Sequence, residues 1–193
     1  MSEPRAPRNN VGSLIEWNRY LNAVDSVDQA RVTIAFQHHE VHEGNHYTIA
    51  VVDADVDIAA PKYVRITAPD TATRIHFMGV VSADGASLVE LYEDPTILAA
   101  GTALTERNND RNSANAATAT TFEDTTTQAP NNDGTLLFAG RIGGTGAAQT
   151  RFAGNVADRE EWILKQATDY LVKVTVDADD TEVVIVLTWY EVS

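Results

Sequence analysis

The stretch 161–192, EWILKQATDYLVKVTVDADDTEVVIVLTWYEV, decides the fold. Across 170–177 the even positions Tyr170, Val172, Val174 and Val176 are apolar, and Lys173, Thr175 and Asp177 fall on the other side. Across 182–190 the odd positions Val183, Ile185, Leu187 and Trp189 form a wholly apolar face. A period of two built from β-branched and aromatic residues predicts strands. The cluster Asp177-Ala178-Asp179-Asp180-Thr181 between them predicts a turn, and hence an antiparallel hairpin. Trp162 and Leu164 alternate just upstream and predict a short further strand. A lone hairpin is marginal in water, so its apolar face requires another sheet over it.

The rest of the chain offers that sheet. Strands are predicted over 31–38, 47–52, 62–67, 73–81, 87–93, 118–123 and 135–140. Inward residues include Val32, Ile34 and Phe36, then Val64 and Ile66, then Ile75, Phe77 and Val81. Asp84-Gly85 between apolar runs predicts a second hairpin. Residues 95–113 leave the strand pattern, and the four glycines in 142–155 predict a long exposed loop. Eight to eleven short strands with almost no amphipathic helix predict an all-β fold, an antiparallel β-sandwich of jelly-roll type. Residues 1–30 read as an extended N-terminal arm and 31–193 as the β-sandwich body. Within the arm, Leu14, Trp17, Tyr20 and Leu21 fit either a short helix capped by Ser13 or an irregular anchored segment.

Composition narrows the function. The chain has 193 residues, 44% hydrophobic and 22% charged, which is ordinary for a globular protein. No apolar run reaches the roughly 18 residues of a membrane span, and the start lacks the apolar region of a secretory signal. The absence of cysteine excludes disulfides, thiolate catalysis and Cys-ligated zinc. Twenty-eight acids against 14 bases give a net charge of −14, which repels nucleic acid and anionic membranes.

His42-Glu43-Gly44-Asn45-His46 satisfies H-E-x-x-H, the zinc peptidase pattern. That chemistry needs both histidines on one helical face. Gly44-Asn45 breaks helices, so the motif is expected to shape a turn between strands. With His38 and His39 it makes a histidine-rich, pH-sensitive surface. Asp53-Ala54-Asp55-Val56-Asp57 resembles the start of a calcium loop, but Ile58 and Val64 stand where glycine and glutamate are needed. Gly143-Gly144-Thr145-Gly146 lacks the Gly-Lys-Ser/Thr ending of a phosphate loop. No catalytic residue, resident metal or cofactor is expected.

Several segments, in order, resemble a family of tailed-bacteriophage virion proteins. They are VHEGNH at 41–46, LYEDPT at 91–96, GTALT at 101–105, NNDRNS at 108–113, DGTL at 133–136, EWILK at 161–165 and WYE at 189–191. Its members are head-decoration or minor structural proteins. The resemblance implies a non-enzymatic protein of the capsid surface, made in the host cytoplasm. Its implied partner is the major capsid protein, and a homotrimer at three-fold positions is expected. Arg5 and Arg8 give the arm a basic character that the body lacks, and Trp17, Tyr20 and Leu21 are anchor types, so these five are expected contact residues. His42 and His46 join them. The competing expectation is a carbohydrate- or receptor-binding module with Trp17, Trp162 and Trp189 as sugar platforms. An exposed aromatic cluster would favour that reading, and a contiguous apolar patch would favour a shell contact.

Overall fold

The computed structural model describes residues 23–24, 31–32, 36–127, 132–142, 148–152 and 161–192, to which the following refers. The chain divides into two compact units, Met1–His39 and Glu40–Ser193. The first contains a two-stranded antiparallel pair, β1 (Ala23–Val24) and β2 (Arg31–Val32). A helix, α1 (Phe36–His42), runs across the boundary. Of the strand expected over 31–38, the described strand residues are Arg31–Val32, and 36–38 are helical instead. Gln37 and Glu40 suit a helix, and Gly44 ends it in the left-handed region at φ 72. Gly44 N donates to Val41 O at 3.1 Å and Asn45 N to Glu40 O at 2.9 Å, the paired bonds of a Schellman stop.

The second unit is the sandwich. Its principal strands are β3 (His46–Val56), β4 (Lys62–Thr67), β5 (Arg74–Ala83) and β6 (Ser87–Glu93). After an insertion come β12 (Thr135–Ile142), β13 (Ala148–Phe152), β14 (Trp162–Ile163), β15 (Asp169–Val176) and β16 (Thr181–Val192). The insertion carries β7 (Ile97–Ala99), β8 (Thr102–Ala103), β9 (Arg107–Asn108), β10 (Thr120–Glu123) and β11 (Thr126–Thr127).

Two six- and five-membered strand orders result, β12-β6-β15-β4-β10-β8 and β13-β5-β16-β3-β9, with β14 joining at β5. Every pairing is antiparallel. Strands β3 to β6 alternate between the two sheets, and so do β12, β13, β15 and β16. Each early strand also pairs with a late one: β3 with β16, β4 with β15, β5 with β13, and β6 with β12. This is a two-stranded ribbon wrapped into two sheets, the eight-stranded jelly roll.

That topology corrects two expected hairpins. β15 and β16 lie in different sheets, and so do β5 and β6. The turns at 177–180 and 84–86 are arches across the sandwich. The apolar faces explain why: Tyr170, Val172, Val174 and Val176 from one sheet meet Val183, Ile185, Leu187 and Trp189 from the other in one buried cluster. Each face is the cover that the other needs. The expected loop over 142–155 is also corrected, because β13 lies within it and pairs Ala148–Phe152 against Ala83–Gly79. Trp189, Tyr170, Phe77, Ile66 and Leu91 are among the largest fully buried side chains.

Candidate partner surfaces

The H-E-x-x-H residues are separated by the helix stop. His42 is the exposed last residue of α1, while His46 opens β3 and is buried. The N-terminal flank is a helix and not the expected strand, but the histidines do not share a helical face. Space at the stop is tight, since a Cβ on Gly44 would lie 2.2 Å from Ser113 Oγ. His46 Nδ1 takes a bond from Asn109 Nδ2 at 2.6 Å, and its ring stacks against Tyr190 at 6.4 Å. Burial lowers its pKa below the usual 6.5. His76 stacks on the other side of Tyr190 at 4.5 Å, and Glu161 accepts from Tyr190 Oη at 2.6 Å while meeting His76 Nδ1 at 2.9 Å. This is a cross-strand ladder, His46–Tyr190–His76, held by hydrogen bonds.

The acidic run is also divided. Asp53 turns to the ammonium of Lys62 at 3.0 Å, which also meets Glu123 and Asp124. Burial alone raises the Asp53 pKa, but the bond and charge of Lys62 and the bond from Asp55 N together outweigh it, and the net direction is down. Asp55 and Asp57 stand beside Asp180 from the β15–β16 arch, with carboxylate oxygens within 4.8 Å of one another. A hydrogen bond with Asp180 and the charges around it push the Asp55 pKa up. Three such carboxylates can ligate a divalent cation, although all three are exposed residues of a strongly acidic protein.

The two outer sheet faces differ in chemistry. On the β4–β15–β6 sheet, Lys173 pairs with Asp133 at 2.7 Å, and its ammonium lies 5.7 Å from the Tyr63 ring and 6.0 Å from that of Tyr92. Burial, with Glu90 accepting from the hydroxyl, pushes Tyr92 up to about 12. Arg65 lies over Phe122 at 4.2 Å. The outer face of the other sheet is aliphatic. Register sets Val52 beside Val184 and Ser82, Ala50 beside Val186 and Val80, and Thr48 beside Thr188 and Met78. On β3, β16 and β5 these rows hold no charged residue, and β13 ends two of them with Arg151 beside Val80 and Gln149 beside Ser82. Ile163 closes one side of this face, 56% exposed, and Val52 the other, 65% exposed. A groove of about 460 Å³ beside Ala50 is lined also by Ala103, Leu104 and Arg107.

Of the expected contact residues, Arg5, Arg8, Trp17, Tyr20 and Leu21 lie outside the described residues. His42 and His46 are placed apart, as above. Trp189 is fully buried and Trp162 packs half-buried against the core, so neither offers a sugar platform. The aliphatic rows were the missed surface. Their signal was present: in 183–187 both parities are apolar, a pattern of strands apolar on both faces. No family model, curated protein or solved structure matches the chain.

Proposed function

We propose that the protein is a non-enzymatic structural component of a tailed-phage virion, one that binds and reinforces the outside of the capsid. The observation that carries this reading is the aliphatic rows of Val52, Ala50, Val80, Val184 and Val186, with Ile163 at their margin and Arg151 at one end. An antiparallel sheet facing water normally alternates to polar residues. In a chain of 42 charged residues, 28 acidic and 14 basic, an aliphatic sheet face suits a large flat protein partner. The ordered segments that resemble phage head proteins supply the class of that partner. Glycan binding has less support, because Tyr63 and Tyr92 are already engaged around Lys173.

Co-sedimentation with empty, undecorated capsids tests the proposal. The protein should pellet with the shells, and Val186→Lys or Ile163→Asp should leave it in the supernatant with the fold intact. Undiminished pelleting of both variants would remove this face from the contact, and no pelleting of the parent protein would remove the capsid.

A further inference from the structure

β3 is an edge strand for most of its length. β9 pairs with it only at Tyr47 and Thr48, and no described strand continues beside Ile49 to Val56. The direction of the unused backbone groups follows from one bond: Asn109 N donates to His46 O at 2.8 Å, so His46 presents its carbonyl to the edge. Register with β16 is regular from His46 to Asp53. Alternation therefore turns the N–H and C=O of Ala50 and Val52 to the same edge. Both residues are exposed, and Val52 is 65% so. Among the described residues no strand pairs this edge beyond Thr48, although Ala103, Leu104, Thr105 and Arg107 line a groove beside Ile49 and Ala50, and an unpaired edge is a template for another strand.

Charge selects which strand. Arg107 is exposed at one end of the open edge, where β9 stops. Asp55, Asp57 and Asp180 crowd the other end. An extended partner must bring acid to the first end and base to the second. The edge of an identical copy, run antiparallel, does both at once. We propose that two copies of this chain pair through β3 about a two-fold axis at Val52, joining the two sheets into one continuous sheet across the dimer. Each Val52 exchanges both backbone hydrogen bonds with its counterpart, and each Arg107 faces the other copy's Asp55–Asp57–Asp180 group. An axis at Val52 sets Thr48, which β9 already pairs, opposite Val56 of the other copy, so the new pairing runs over 50–54 of each copy and ends at the bulge before Val56. This is isologous, closed pairing and differs from the expected trimer. It does not depend on the capsid reading.

The chain's lack of cysteine makes the test direct. Residues directly opposite in a hydrogen-bonded antiparallel pair have Cα atoms about 5.5 Å apart, within the roughly 4.4–6.8 Å that a disulfide spans. Val52→Cys should cross-link to a covalent dimer under mild oxidation, and Leu98→Cys, at a site 68% exposed, should not. Sedimentation equilibrium of the parent protein should show a monomer–dimer equilibrium that weakens in high salt. Val52→Pro removes only an edge-directed N–H, which an edge strand tolerates, and should leave a folded monomer. Arg107→Glu should weaken association about tenfold or more, as expected for losing interfacial charge pairs. A monomer at all concentrations, a trimer, association indifferent to Val52→Pro, or equal cross-linking at position 98 would each overturn the proposal.

Discussion

His46 shows how far a residue's meaning depends on its neighbours. In the sequence it completes a zinc-binding pattern; in the fold it is a buried ring between Asn109 and Tyr190, one helix stop away from His42. Glu43→Gln should leave metal content and peptidase activity at background, and stoichiometric zinc with activity lost in that variant would restore the peptidase reading. Burial also makes His46 a probe of pH. Its folded pKa lies below its unfolded value near 6.5, so the unfolded chain takes up the proton first. The stability that depends on neutral His46 is complete above 6.5 and is lost as pH falls through the lower folded value. An NMR titration should find the His46 midpoint below 6.5, and the denaturation midpoint should decline over the same acid range. A ring midpoint above 6.5 would contradict its burial as a neutral group.

At the scale of elements, the patterned strands were legible and their partners were not. Period-two alternation identified the inward residues of β4, β5, β15 and β16, and all of those named are buried. Alternation does not say which sheet a strand joins. Asp84-Gly85 and the 177–181 cluster permit a reversal within a sheet or an arch between sheets, and the turn residues look alike in both cases. What decides is long-range pairing, such as β16 lying between β3 and β5. Of the insertion's short strands only β10 was legible, within the expected 118–123; the others, two or three residues long, are too short to show alternation, and side chains anchor the segment. The Glu191 carboxylate, itself buried, accepts from Thr118 N at 2.9 Å, Thr118 Oγ1 at 2.6 Å, Ala119 N at 3.1 Å and Trp189 Nε1 at 3.1 Å. Glu106 accepts from Thr121 N and Oγ1, both at 2.8 Å. Glu191→Ala strands several buried donors and should cost roughly 2–4 kcal/mol in chemical denaturation, at about 1–3 kcal/mol per unsatisfied group after partial relaxation. Leu187→Ala, in the fully buried core, should cost roughly 2–5 kcal/mol. The two variants separate by amide exchange. Glu191→Ala should deprotect 118–121 first, whereas Leu187→Ala should lower protection throughout both sheets. Uniform loss in both would mean that the insertion has no local anchor.

For the whole molecule, the arm and the body make separable demands. Every described residue of the buried cluster falls between Tyr47 and Trp189, inside the unit that begins at Glu40. The described core of the jelly roll therefore lies within 47–189. The first 21 residues carry Arg5, Arg8 and Arg19 against Glu3 and Glu16, a net charge of +1, while the full chain is at −14. A basic segment on an acidic protein suits attachment to a partner, with Trp17, Tyr20 and Leu21 as anchors. Ordering such a segment on binding costs conformational entropy, so firm attachment requires several copies acting together. Deleting Met1 to Leu21 should leave the far-UV spectrum and melting temperature of the body nearly unchanged and sharply reduce capsid binding. Pairing through β3 should survive the deletion, because Val52 and Arg107 belong to the body. A truncated protein that binds shells fully would confine the contact to the aliphatic face. One that fails to fold would mean that the sandwich depends on the first 21 residues after all.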